Sequence, residues 1–165
     1  MKSSEGSTHS DWRGDTWLTA VEAFKADHPR RAILLLMRFD ESPLLQSLRE
    51  AIQAVADRLG YDVIRADDRD YTGELWANVD LCVRNTDLVI ALLEDVERRD
   101  CDANVMVEVG YVLALSRPCL LLTERRIAKI PAVLRHRVMS SFDAYDPTTV
   151  ERAVERWMTR DLRRM

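Results

Sequence analysis

The stretch Ala32-Ile33-Leu34-Leu35-Leu36-Met37-Arg38-Phe39-Asp40-Glu41-Ser42-Pro43 reads as a buried strand running into a helix. Six consecutive apolar residues are short for a helix and right for a strand covered on both faces. A polar loop follows. Ser42-Pro43 then supplies an N-cap hydroxyl and a proline at the first helical position, whose missing N–H would be unpaired there anyway. A strand that ends at Met37 and a helix that begins at Pro43 make one βα unit.

The same alternation continues outward. Further strands are expected at Tyr61–Arg65, Asp87–Leu92, Pro118–Thr123 and about 137–142, with helices at about 43–59, 74–85, 103–116 and 147–163. Gly60 follows the last apolar residue of the first of these helices, and Asp146-Pro147 repeats the start signal at the last. Five βα units predict an α/β doubly wound fold of flavodoxin-like or Rossmann-like type, with a five-stranded parallel sheet in the order 2-1-3-4-5. Upstream, Asp15 is placed to cap a short helix in which Trp17, Val21 and Phe24 recur at helical spacing, and Pro29 ends it. The chain therefore divides into a mobile N-terminus plus short helix (1–31) and one α/β domain (32–165).

Composition narrows the function classes. With 165 residues and 47% hydrophobic content the chain can bury a single core without staples. A net charge of −4 argues against a general nucleic-acid binder, which needs a basic face. No apolar run approaches the roughly 20 residues of a membrane span, and the N-terminus has no signal-peptide core, so a cytoplasmic protein without membrane partners is expected. Cys82, Cys101 and Cys119 fit neither a metal motif nor a disulfide framework and read as reduced thiols. His9, His28 and His136 are scattered, and no metal site is expected.

In such a sheet ligands bind outside the carboxyl ends of the strands where the order reverses, here strands 1 and 3. Three segments converge there. The loop after strand 1 provides Arg38, Phe39, Asp40 and Ser42, the loop after strand 2 provides Asp67 and Gly73, and Asn104 lies at the entry to the helix carrying Glu108. The first loop lacks GxGxxG and the P-loop pattern, so no dinucleotide or ATP cofactor is expected. A helix N-terminus with Arg38 beside it suits a small phosphate or sugar. Arg38 paired with Asp40 or Glu41 on the surface is the plainer alternative. The acidic turn 67–70 lacks the pattern of a calcium loop and reads as solvated.

Glu108 stands alone among apolar neighbours in Val105-Met106-Val107-Glu108-Val109-Gly110-Tyr111-Val112. A carboxylate buried without a partner is costly or becomes neutral, which makes Glu108 the first catalytic candidate. A plainer reading makes it an acid in the first turn, favoured by the helix dipole, if Asp102 or Asn104 is the cap. Asp80 sits between Leu75, Trp76, Val79 and Val83; it either faces the crevice beside Glu108 or points outward. Leu92-Leu93 at the end of strand 3 disfavours a phosphoacceptor receiver, which needs an aspartate there.

Taken together, these segments resemble the nucleoside 2-deoxyribosyltransferase-like family, itself related in fold to TIR-like NAD-cleaving domains. Asn104–Pro118 is similar to the family's NPNVFYELGYAHALGKPV, Leu36–Asp40 to its MPFD, Thr86–Ala91 to its ADVVIAD, and Ile130–Arg135 to its IPFDLR. The matches cover about residues 32–145 in register. The resemblance implies cleavage or transfer of the N-glycosidic bond of a nucleoside, nucleotide or NAD, with Glu108 as the carboxylate at the anomeric carbon and Asp80 as the second acid. It also implies homo-oligomers. Leu75, Trp76, Val79, Cys82 and Val83, together with Trp17, Leu18, Val21 and Phe24, are the expected association surface, the alternative being that the N-terminal helix folds back onto its own sheet. Arg38 stands where the family has proline, Leu92 replaces an acid, and the loop 94–102 is longer and more charged. These departures leave a non-catalytic nucleotide-binding module as the second reading.

Overall fold

A computed structural model of the protein describes residues 14–40, 42–97, 102–134, 137 and 139–162. Along the chain run α1 (Asp15–Asp27), β1 (Arg31–Leu36), α2 (Pro43–Arg58), β2 (Tyr61–Ile64), α3 (Leu75–Asn85), β3 (Leu88–Leu93), α4 (Ala103–Ala114), β4 (Cys119–Glu124), a 3-10 turn (Ala132–Leu134), β5 (Met139–Phe142) and α5 (Pro147–Arg156). The five strands are parallel in the order β2-β1-β3-β4-β5, as expected.

The pleat explains the layers. Ile33, Leu35 and Met37 point to one face, where α2, α5 and the turn that follows α5 cover them through Leu48, Ile52, Val55, Val150 and Trp157. Leu34 and Leu36 point to the other face, which α1, α3 and α4 cover through Phe24, Val79, Val83, Val105 and Val109. β1 and β3 are covered on both sides, so their run of buried residues is nearly continuous. The carboxylate of Asp87 ties β1 to the start of β3 by accepting from the Ala32 N–H at 2.8 Å.

The start and stop signals act as read. Ser42 caps α2, accepting from the Leu44 and Leu45 N–H groups, and Asp146 caps α5. Gly60 turns the chain with a φ of 81° that a side chain would disfavour. Two details differ. Gly14, without a side chain, is the N-cap of α1, and Asp15 is its first residue. α5 ends at Arg156 and continues as a π-helical turn, Trp157–Asp161, which widens the helix as Trp157 is buried.

α1 lies against its own sheet. Ala20 and Phe24 are buried there, with Trp17 and Val21 packed alongside, so that stripe is used within the chain. Leu18, Leu75 and Trp76 remain exposed. No helix among the described residues is long and apolar enough to cross a membrane. Cys101, His9, His136, Glu41, Arg163 and Arg164 lie outside the described residues.

Candidate functional site

A crevice of about 770 Å³ opens at the carboxyl ends of the sheet. Met37, Phe39 and Asp40 come from the end of β1, and Arg65 and Asp67 from the end of β2. Ser42, Leu45, Gln46 and Arg49 come from the first turns of α2. The crevice was expected between β1 and β3. It lies instead over β1 and β2, because residues after β3 fold onto the β1 end. There the Arg38 guanidinium, 3% exposed, meets Glu94 at 3.2 Å through Nε and Glu97 at 2.7 Å through Nη2, with Asp40 at 3.8 Å from Nη1. The Ser42 hydroxyl donates to the other oxygen of Glu97 at 2.7 Å. Arg38 is therefore a buried, carboxylate-bound group, and neither of its sequence readings anticipated Glu94 and Glu97.

The other cations of the crevice are also paired. Arg65 grips Asp67 with two bonds of 2.8 and 2.5 Å, and its guanidinium lies 5.3 Å from the centre of the Phe39 ring. Arg49 grips both oxygens of Asp68. The result is a wall with one exposed aromatic face, Phe39, and alternating charges, suited to stacking a flat ring against Phe39 and Arg65. The turn 67–70 is exposed, as read.

Glu108 projects from the buried side of α4 and is 6% exposed. Asp102 is the N-cap, accepting from the Asn104 and Val105 N–H groups. That makes Glu108 the sixth helical residue, beyond the first turn where the dipole acts strongly. Burial raises its pKa from the ordinary 4.5 to about 7; the charges of Asp102 and Asp67 add to the rise, and that of Arg65 opposes it. Glu108 is not itself part of the crevice lining. Its link to the crevice runs through Asp67 and Arg65, which do line it and whose charges reach it. An acid with its pKa near 7 can accept or release a proton, or attack as a carboxylate, at physiological pH.

Asp80 is buried, 1% exposed, and its carboxylate accepts from Arg84 Nε at 2.5 Å and from the Tyr111 hydroxyl. Arg84 also donates to that hydroxyl at 2.9 Å, and Trp76 packs on the Tyr111 ring at 5.2 Å. Tyr111 lies one turn beyond Glu108, so the cluster joins α3 to the helix that carries Glu108. Asp80 is thus neither a simple outward residue nor a free carboxylate of the crevice.

The remaining candidates separate. Phe39, Asp40, Ser42 and Asp67 come together in the crevice lining. Gly73 does not: its φ of 74° and its N–H bond to Asp70 Oδ1 serve the turn before α3. Asn104 is exposed in the first turn of α4. Sequence reasoning missed Arg65, Arg49 and Glu97; a cation at the last position of strand 2 and the charge of the 94–102 loop were the available signals. Among the described residues no cluster could hold a metal ion.

No protein-family model matches the chain, and no curated protein does. Among solved structures it is similar to a 2-desoxiribosyltransferase from Leishmania mexicana, at 21% identity and a TM-score of 0.45, over 56% of this chain and 64% of that one. The chain thus spans slightly less than two thirds of that protein. A likeness this distant carries no argument about activity.

Proposed function

We propose that the protein cleaves or transfers the N-glycosidic bond of a nucleoside, nucleotide or NAD, with Glu108 as the carboxylate that meets the anomeric carbon. The observation that carries this reading is a buried acid with its pKa at about 7, acted on by the charges of Asp67 and Arg65, which line a cleft at the carboxyl ends of the strands. The motif resemblance around Glu108 and Phe39 supports it. As the bond from C1′ to the base nitrogen breaks, the base leaves with the electron pair and the sugar becomes oxocarbenium-like. Ionised Glu108 stabilises that charge or closes on C1′ as an ester, which water or a second base then opens. A proton must reach the departing nitrogen. Asp80 can relay it only by first taking up a proton itself and letting go of Tyr111 or Arg84.

That engagement of Asp80 favours a second reading, a nucleotide-binding module of the same fold without turnover. Incubation with a panel of nucleosides, nucleotides and NAD separates the two. Base release that disappears in Glu108→Gln, with folding retained, supports the enzyme. Unchanged turnover in that variant rejects Glu108, and binding without base release from any compound leaves the module.

A further inference from the structure

We propose that Arg38 and Ser42 form an oxyanion subsite at the edge of the crevice, that it takes a carboxylate or phosphoryl group, and that Glu97 is its resident occupant. Both oxygens of Glu97 are used: one receives Arg38 Nη2 and the other the Ser42 hydroxyl, each at 2.7 Å. Two donors held apart to fit two oxygens of one anion are the usual form of such a receptor. Of the two donors, Ser42 lines the cavity beside Asp40, and Arg38, outside the lining, joins Ser42 through Glu97.

Arg38 itself shows that the present occupant is incomplete. The side chain is only 3% exposed, yet Nε and Nη1 have no hydrogen-bond partner among the described residues. Glu94 and Asp40 neutralise them at 3.2 and 3.8 Å without bonding geometry. Buried donors left unmade are costly, so an anion with a third oxygen would find an unused N–H. The N-terminus of α2 adds its dipole but no backbone donor, since Pro43 has no N–H and the Leu44 and Leu45 N–H groups already bond Ser42 Oγ.

The acids around Arg38 differ in how easily they leave. Glu94 is nearly enclosed, at 4% side-chain exposure, whereas Glu97 is 38% exposed and can return to water. Displacing Glu97 leaves Arg38 paired with Glu94, and an incoming singly charged group restores the charge that Glu97 removed. The resident carboxylate thereby sets a threshold that only an anionic ligand has to cross; a neutral ligand in the crevice leaves it in place.

Titration with inorganic phosphate and, separately, acetate tests the subsite and distinguishes the two sources of oxyanion. Neither probe has a glycosidic bond, so the result stands or falls apart from the proposed reaction. Glu97→Ala is expected to bind one or both anions about tenfold or more tightly than the parent, and Glu97→Gln, which keeps a neutral occupant, by a smaller factor. Adding Ser42→Gly, which keeps a tolerated N-cap residue, should abolish the gain while thermal melting shows the fold intact. Affinities for both anions that stay within about twofold across parent, Glu97→Ala and Glu97→Gln would overturn the proposal, as would a gain that survives Ser42→Gly.

Discussion

Glu108→Gln should stabilise the protein at neutral and alkaline pH and leave it almost unchanged in acid. In the folded chain burial holds the Glu108 pKa at about 7, against an ordinary 4.5 in the unfolded chain. The folded state therefore keeps a proton that the unfolded state has released between these two values. Stability from this group is full below pH 4.5 and is lost as pH rises through about 7. At about 1.4 kcal/mol for each pKa unit the loss is about 3 kcal/mol, nearly all of it present by pH 8. Glutamine resembles the protonated acid in shape and charge and has nothing to lose over that range. For a chain of this length the difference corresponds to about 6–12 °C in Tm. Urea denaturation of both proteins at pH 5 and pH 8 reads it directly. A gap between parent and variant that does not widen from pH 5 to pH 8 would refute the reasoning, since it would mean that Glu108 ionises like an exposed acid.

Two further substitutions test the ion-paired clusters. Tyr111→Phe removes the hydroxyl that donates to Asp80 and accepts from Arg84, and should cost about 1–3 kcal/mol because a buried carboxylate loses a donor; equal stability in urea would mean that Arg84 alone satisfies Asp80. Glu124→Gln should cost about 1–3 kcal/mol at pH 7 and less at pH 3. Burial acts to raise the Glu124 pKa, but the hydrogen bonds from the Arg126 side chain and backbone outweigh it and hold the carboxyl below its usual value. Stability from that group is present above the unfolded pKa and lost as pH falls through the lower folded one, so a loss that is the same at pH 7 and pH 3 would contradict the pairing.

How far the sequence could be read follows from the distance between the residues that decide each feature. Strand β1, its loop and the start of α2 were legible because apolar runs, the Ser42 cap and Pro43 act within a few residues of one another. The strand order followed from counting βα units. The crevice was displaced from the expected β1 and β3 ends to β1 and β2 by partners no local pattern relates: Arg38 and Glu97 lie 59 positions apart. Periodicity likewise left the direction of Asp80 open, and the answer rests on Tyr111, 31 positions away on another helix. The α1 stripe of Trp17, Val21 and Phe24 was visible as a pattern, but a stripe says only that something covers it, and here its own sheet does.

The case that Glu108 serves chemistry rests finally on its cost. About 3 kcal/mol is a large share of the roughly 5–15 kcal/mol by which a domain exceeds its unfolded state. The dipole reading offered a compensation, but the Asp102 cap puts Glu108 in the second turn, where that compensation is weak. Glutamine at this position would keep the shape and remove the penalty, and the surrounding Val105, Val109 and Val112 would accept an apolar residue as well. Asp67 and Asp102 add to the rise rather than relieve it. Retaining an acid under those conditions fits a site where a carboxylate near its own pKa is the working group, and it ties the pH dependence of folding to the same proton that base release would require.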